Sequence, residues 1–332
     1  MHKRIPCLDG LRAISIIAVT TSHLFASLRG LGAHGVDTFF VISGFLITHL
    51  LISEEQSTGT ISWSRFYTRR AARIFPAYLL FMLTAGALGV IGVVPVTRAG
   101  WTQAATYTYS LLPHTSTEAI THSWSLGVEE HFYLLWPATI ATLGFRRARY
   151  PLAIAVLGAM ILRLVIWRSH INIDFFTLTR IDTIAIGCFA AYAWNSSRLG
   201  TALGALARLS VLPTAIFVAV TSSVLSAHSG KYQLTVARPI EAVCVAVVVL
   251  HLIQKERGPL FKFLNSRPMV HLGTLSYSVY LAQFAVFLPH TRLVVLLVMV
   301  FYALASYHLV EKPVLRWART PRRRPQEVPV PA

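Results

Sequence analysis

Long apolar segments constrain this 332-residue chain more than any other feature of its sequence. An apolar stretch of about 17–25 residues can cross a lipid bilayer as a helix. Charged residues make up 13% of the chain, whereas a soluble domain carries about 25%. This composition excludes a soluble domain and a disordered chain. It predicts an all-α, polytopic membrane helix bundle of about ten transmembrane helices, over residues 11–28, 34–52, 74–95, 121–144, 149–168, 178–197, 206–227, 234–254, 271–290 and 292–310.

The distribution of positive charge predicts the orientation of the bundle. The chain has 30 Lys and Arg residues against 13 Asp and Glu, a formal net charge of +17. With both termini cytoplasmic, 21 of the 30 basic residues fall in inner segments and five in outer segments, as the positive-inside rule requires. The excess of positive charge is thereby explained without a nucleic-acid partner, and none is expected. We predict a transmembrane domain over residues 1–311 and a basic, disordered cytoplasmic tail over residues 312–332.

The motifs of several enzyme classes are absent. Cys7, Cys188 and Cys244 are too widely spaced for a metal or redox pair, and are interpreted as small apolar residues of the core. No phosphate-binding loop, dinucleotide fingerprint or zinc-protease motif is present. No metal site is therefore expected.

Ionisable residues inside the predicted spans are functional candidates, because charge in a bilayer is costly. Most of them fall in the outer halves of their spans, where one shared polar cavity would accommodate them. The alternative is a set of structural ion pairs such as Arg180 with Asp182, or Arg238 with Glu241. Both interpretations remain open for these residues, which are Arg12, His23, Asp37, Glu129, Glu130, His131, Arg163, Arg180, Asp182, Arg238 and Glu241.

His23 and a group of arginines indicate two kinds of chemistry. An imidazole can take up and return a proton near neutral pH, although a single membrane histidine is more often structural. Asp37, Glu129 and Glu130 are its possible partners. Arg69, Arg70 and Arg73 anchor the chain to anionic lipid in one interpretation and bind a polyphosphate ligand in the other.

Six motifs in order resemble the acyltransferase-3 family of integral-membrane O-acyltransferases, over nearly the whole chain. The first has Arg12 and His23 separated by ten residues, and the third has Arg70 and Arg73 in an RxxR pattern. The motifs are LDGLRAISIIAVTTSHL, GVDTFFVISGFLIT, FYTRRAARIFPAY, HSWSLGVEEHFYLLWP, TRIDTIAIGCFAA and LVEKP. One departure is YLAQFAV, where Gln283 replaces a histidine common in the family. Because glutamine cannot act as a base at neutral pH, this difference places more weight on His23.

The resemblance implies a membrane-bound enzyme of the bacterial plasma membrane that moves an acyl group, most often acetyl, from acyl-CoA to a hydroxyl. The implied acceptor is a carbohydrate or lipid-linked saccharide of the cell envelope, and membrane lipid is the other partner. It implies His23 as general base with Glu129 or Asp37 orienting the ring, and acetyl-CoA held by Arg12, Arg70 and Arg73. The acceptor side would be formed by Trp124, Ser125, Glu130, Arg180, Asp182 and Gln283.

Three alternatives stay open at this point. In the first, the acceptor is a secondary metabolite such as a glycosylated antibiotic. The second is a transporter or flippase of a polar envelope precursor, since buried charge also marks transport pathways. The third is a membrane scaffold with structural ion pairs. The sequence leaves open the acyl length, the use of an acyl-enzyme and the oligomeric state.

Overall fold

The computed structural model describes residues 5–111, 118–167, 174–196, 211–254 and 257–319. Within these ranges the chain is helical and contains no β-strand. The all-α prediction is therefore confirmed for the described residues. Residues 168, 197 and 206–210 of the predicted spans lie outside them, as does the segment from 320 to 332.

Four helices form the N-terminal third of the fold: α1 Pro6–Leu24, α2 Arg29–Thr58, α3 Trp63–Val90 and α4 Arg98–Ala105. Pro6 stands in the first turn of α1, where an amide hydrogen has no helical partner to lose. Helix α2 is longer than the predicted 34–52 and ends where Gly59 takes a left-handed conformation, with φ of 73°. Helix α4 returns to α3, because the Trp101 indole donates to the Met82 carbonyl at 3.1 Å.

Helix α5, Ser123–Ile166, consists of two arms that meet at Gly144, where φ is 70° and ψ is 161°. Trp124 at the start of the first arm stacks on Phe175. Arg163 near the end of the second arm donates to the Thr179 carbonyl. Because both ends contact the same segment, the chain reverses direction at Gly144. This reversal agrees with the two separate spans that the sequence predicts for this region.

Seven further helices complete the fold. Helix α6 packs against α2, α5 and α8, and α10 packs against α1. A 3₁₀ segment, Ala282–Phe287, continues α10, and a π-helical segment, Ser306–Glu311, joins α11 to α12. The helices are α6 Ile181–Trp194, α7 Val211–His228, α8 Arg238–Gln254, α9 Pro259–Leu264, α10 Arg267–Leu281, α11 Arg292–Ala305 and α12 Lys312–Arg319.

Glycines allow two pairs of helices to cross at close distance around the candidate site described below. A Cβ on Gly44 of α2 would overlap the Ile184 carbonyl of α6, and one on Gly187 would overlap the Val41 carbonyl. A Cβ on Gly273 of α10 would likewise overlap the carbonyl of Asp9 on α1. Small residues allow close backbone approach, which is a main source of helix association in membranes. Helices α6 and α10 are thereby held directly against α2 and α1.

The outer surface carries rows of exposed apolar side chains at helical spacing. Leu293, Leu297 and Phe301 form one such row on α11, and Ile154, Leu157 and Ile161 form another on α5. In the described ranges, five helical stretches are long and apolar enough to cross a membrane: Gly30–Thr58, Trp63–Val90, Ser123–Ile166, Gln233–Gln254 and Arg292–Ala318. The count of ten spans and the cytoplasmic termini remain predictions.

The predicted disordered tail begins later than expected. Residues Lys312–Arg319 form α12, which packs against α3. Pro313 lies inside the continuous helical stretch Arg292–Ala318, just after its π-helical segment Ser306–Glu311. The prediction of disorder from residue 312 was therefore wrong up to residue 319.

Candidate active site along helix α1

Helix α1 carries two of the predicted site residues on one rigid element. Arg12 and His23 are separated by about 16 Å at 1.5 Å per residue. The helix lies between α2 and α10, and its middle is buried at Ala13, Ile16 and Val19. The two side chains therefore define an arginine end and a histidine end of one site.

Three arginines meet at the first end. The charge of Arg12 interacts with those of Arg70 and Arg73 on α3 and with that of Asp9, whose carboxylate is 3.8 Å away. The Arg70 guanidinium lies 4.8 Å from the centre of the Tyr133 ring. The structure thus brings together the three residues that the resemblance assigns to the phosphates of the donor. Their planar guanidinium groups suit phosphate oxygens.

Carboxylates lie beside this arginine group. Glu129 accepts a hydrogen bond from Ser43 at 2.7 Å, and its charge interacts with those of Arg12 and Arg70. Glu130, the next residue on α5, is half-buried and interacts with Arg70. Glu129 is therefore tied to the arginine end of the site.

His23 lies at the C-terminal end of α1, with its side chain open to solvent. Within the described ranges, no hydrogen bond or ion pair joins His23 to Asp37 or Glu129. The structure therefore does not bring His23 together with either carboxylate expected to orient it.

Asp37 has a different partner, Arg180. The two side chains are 2.5 Å apart and both are almost fully buried. The Arg180 guanidinium lies 5.3 Å from the Trp124 ring centre and 5.8 Å from that of Phe40. Trp124 also stacks on Phe175, with ring centres 5.1 Å apart. An aromatic and cationic wall results, which includes Trp124 and Arg180 of the predicted acceptor side.

The other buried charges form ion pairs with residues on another helix or a loop. Asp182 and Arg163 are 2.7 Å apart and fully buried, and Arg238 pairs with Asp174. His34 lies 3.2 Å from Glu241. Neither of the pairings suggested from sequence forms, because each residue finds its partner on another helix or loop. Asp182 thus joins α6 to the second arm of α5.

Three further side chains lie at the histidine end. Two are the predicted Ser125 and Gln283, and the third is His122, which sequence reasoning missed. Ser125 is 2.6 Å from the Tyr280 hydroxyl, which donates to the His122 carbonyl at 2.9 Å. The buried His122 ring packs between Phe81 and Tyr280, and its charge interacts with that of His23. Gln283 donates to the Thr20 hydroxyl at 3.0 Å. His122 is the first residue of the HSWSLGVEEHFYLLWP motif. The sequence feature that could have identified it is an imidazole at the edge of a predicted span.

The described residues contain no group of three or more His, Cys, Asp or Glu side chains that could hold a metal ion. The three cysteines are buried and free.

Comparison with known proteins matches this chain to one family. The acyltransferase-3 family model, described as an acyltransferase domain, covers residues 5–314. O-acetyltransferase OatA of Staphylococcus aureus strain NCTC 8325 / PS 47 is 28% identical over 93% of this chain. OatA of strain COL is also 28% identical over 93% of this chain.

The chain spans 57% of the length of these two relatives. No solved structure gives a significant match. The family match extends from the start of α1 into α12 and includes every site residue described above. The chain therefore belongs to the acyltransferase-3 family.

Proposed function

We propose that this protein is a multi-pass O-acyltransferase of the bacterial plasma membrane. It transfers an acetyl group from acetyl-CoA to a hydroxyl of a cell-envelope carbohydrate, with His23 as general base. The convergence of Arg12, Arg70 and Arg73 at one end of α1, with His23 at the other, carries the proposal. The family match and relatives named O-acetyltransferase support the reaction class.

The arginine end suits the phosphates of the donor. Three guanidinium groups of α1 and α3 offer charged hydrogen-bond donors to phosphate oxygens. From there the extended arm of coenzyme A runs along α1 and brings the thioester to His23. The separation of about 16 Å between Arg12 and His23 requires an extended donor. The positive-inside bias of the sequence supports entry of this donor from the cytoplasm.

The histidine end supplies acid–base chemistry. The acceptor hydroxyl oxygen attacks the thioester carbonyl carbon while the His23 imidazole takes up its proton. The carbon–sulfur bond then breaks, and the thiolate of coenzyme A recovers that proton from the imidazolium. The exposure of the His23 side chain supports access of the alcohol to the ring.

The aromatic wall supports a carbohydrate acceptor. Trp124 stacks on Phe175 and lies beside Arg180, so aromatic rings and a buried cation are grouped together. Aromatic faces pack against the C–H groups of a sugar, and a guanidinium donates to its hydroxyls. Acceptors on glycosylated secondary metabolites present the same groups. Mass spectrometry of envelope glycans and of secreted metabolites distinguishes the two acceptor classes.

A single replacement tests the proposed function. We expect His23→Ala to abolish transfer of labelled acetyl from acetyl-CoA to envelope material in membranes that contain the protein, because the general base is lost. General acid–base catalysis contributes about 10²–10⁴-fold to rate. The amount of folded protein should stay unchanged.

His271→Ala is the matched control, since it removes an exposed imidazole on α10. It should retain full transfer. Transfer by His23→Ala within a few-fold of the wild type would place the base elsewhere. Wild-type membranes that acetylate nothing but move an envelope precursor would favour the transporter.

A further inference from the structure

An open cavity of about 690 Å³ lies at the bend of α5, between the end of α2 and the start of the second arm. Gly144 stands at the bend, and a Cβ added to it would meet nothing within 4 Å, so the space beside it is open. Glu55 of α2 lines the cavity on the other side. None of its lining residues is assigned by the resemblance to the donor or the acceptor, so the cavity is a candidate site for a different ligand.

The cavity is separate from the arginine end of the candidate active site. Tyr133, whose ring lies under the Arg70 guanidinium, and Gly144 are eleven residues apart on the first arm of α5. At 1.5 Å per residue this separation is about 16 Å. A phosphate group held by Arg70 therefore does not contact the residues at the bend.

Positive charge is concentrated around the cavity. Three exposed arginines line it, namely Arg146, Arg147 and Arg149. Within the described ranges, none of the three has a carboxylate oxygen within 4 Å. Three arginines against the single carboxylate of Glu55 give the cavity lining a net charge of +2. The cavity therefore favours an anionic ligand.

The backbone adds a second preference for an anion. Gly144 leaves helical geometry, with φ of 70° and ψ of 161°, so the second arm begins a new helix at the bend. The first amide groups of a helix lack a carbonyl partner within it, and this end carries partial positive charge. Phosphate groups bind at such helix starts, and the guanidinium groups of Arg146 and Arg147 in the same turn suit phosphate oxygens. The anion that matches the bend best is therefore a phosphate.

An apolar row continues from the cavity along the second arm. Tyr150 lines the cavity, and Ile154, Leu157 and Ile161 follow it as exposed side chains at helical spacing. From Tyr150 to Ile161 the row is about 16 Å long at 1.5 Å per residue, which is half of a hydrocarbon core about 30 Å thick. A free phosphate would leave this row uncovered, whereas a phospholipid covers it with an acyl chain. The ligand that matches both the cavity and the row is a phospholipid.

We propose that the bend of α5 binds one anionic phospholipid, with its phosphate among Arg146, Arg147 and Arg149 and an acyl chain along the second arm. The net positive charge selects a headgroup without an ammonium group, such as phosphatidylglycerol. The Glu55 carboxylate accepts hydrogen bonds from the headgroup hydroxyls. The lipid thereby contacts both α2 and α5 and holds them together at this end of the bundle. This inference does not depend on the proposed function.

Lipid titration of the full chain in a neutral detergent tests the site. Native mass spectrometry counts the bound lipid, and melting curves follow stability. The probes are phosphatidylglycerol, phosphatidylcholine and inorganic phosphate. We expect one tightly bound phosphatidylglycerol and a melting temperature higher by a few degrees, since a ligand that binds only the folded protein stabilises it. Phosphatidylcholine and inorganic phosphate should have much smaller effects at the same concentration.

A triple variant removes the positive charge of the cavity by Arg146→Gln, Arg147→Gln and Arg149→Gln. Its affinity for phosphatidylglycerol should fall about 10-fold or more, the effect of losing charged hydrogen bonds. Arg146→Gln alone should lower the affinity a few-fold, and it serves where the triple variant gives little folded protein. The matched control removes three exposed positive charges elsewhere on the predicted cytoplasmic face and should bind as the wild type. Its replacements are Arg257→Gln, Lys262→Gln and Arg267→Gln.

Three results would overturn the inference. They are an equal loss of lipid in the triple variant and the matched control, equal stabilisation by the two phospholipids, and stabilisation by inorganic phosphate as large as that by phosphatidylglycerol. The first would assign the arginines to the general surface charge of this face. The third would indicate a soluble phosphate ligand instead of a lipid.

Discussion

Arg70 and Arg73 lie one turn apart on α3 but have different partners. Arg73 donates to Glu311 at 3.1 Å and to the Thr274 carbonyl at 3.3 Å, and Glu311 also accepts from Ser278. Arg70 makes no direct ion pair within the described residues, and its guanidinium lies over Tyr133. We infer that Arg70 is available for a ligand, whereas Arg73 also holds α3 to α10 and the π-helical segment.

Separate replacements should distinguish these two roles. Arg70→Ala should raise the KM for acetyl-CoA by about 10-fold or more, the effect of losing a charged hydrogen bond, with an unchanged melting temperature. Arg73→Ala should also lower the melting temperature, because Glu311 is fully buried and loses its counter-charge.

Melting temperatures in detergent and donor titrations in membranes measure both effects. Adding Glu311→Gln to Arg73→Ala should recover part of the lost stability. Equal melting temperatures for Arg73→Ala and the wild type would contradict the structural role of that ion pair.

At the scale of residues, the structure gives several of the predicted site residues partners that the sequence did not suggest. Arg12, Arg70 and Arg73 meet as the resemblance implied. Asp37 instead pairs with Arg180, and Asp182 with Arg163. Pairing depends on which helix faces meet, and the spacing within one helix carries no information about that contact. His122 was missed because its ring contacts come from other helices, α3 and α10.

At the scale of elements, the α2–α6 crossing depends on two reciprocal glycines. Gly44 faces the Ile184 carbonyl and Gly187 faces the Val41 carbonyl, so each helix uses one glycine to approach the other. The same crossing positions Asp37 on α2 and Arg180 at the start of α6, whose ion pair supports the aromatic wall. We infer that this wall depends on the closeness of the two helices.

Gly187→Ala should therefore separate α2 from α6. The added methyl group meets backbone atoms that cannot rotate away, and overpacking of this kind costs about 1–3 kcal/mol. We expect a lower melting temperature in detergent and weaker acetyl transfer. Gly158→Ala is the matched control, because nothing lies within 4 Å of the Cβ it would add. A Gly187→Ala variant as stable as the control would show that the crossing tolerates a wider spacing.

Apolar length predicted most helices well, and local backbone chemistry explains the differences. Helix α2 continues to Thr58, where the left-handed Gly59 ends it, and Gly144 divides α5 into two arms. The tail was predicted from charge alone, which gave no signal for a helix that packs against α3. Composition predicts which segments of a chain are apolar. The bounds of each helix depend instead on a few residues at its ends.

At the scale of the whole molecule, the predicted orientation places the two ends of the site on opposite sides of the bilayer. The arginine end would adjoin the cytoplasm and the histidine end the outer face. Ser57 before α3 and Ala99 after it are both exposed, so they report the two sides of one span. Cys7, Cys188 and Cys244 are buried and should react slowly with a charged maleimide.

Cysteine labelling tests this orientation. In intact cells, Ala99→Cys should react with a membrane-impermeant maleimide, and Ser57→Cys should react only after the membrane is opened. Labelling is read as a mass shift of the purified protein, with the unsubstituted chain as the control. The reverse pattern would invert the topology and move the donor to the outer face.

The placement of Arg12 and His23 on one uninterrupted helix has a consequence for substrate size. Arg12, which binds the donor, and His23, which takes part in the reaction, are held at a fixed separation of eleven residues of α1. The length of donor that can span the two residues is therefore fixed. A shortened thioester that lacks the nucleotide would arrive at the imidazole unanchored and be used poorly. Extra carbons on the acyl group would project beyond this length into the space reserved for the alcohol, which favours the smallest acyl groups.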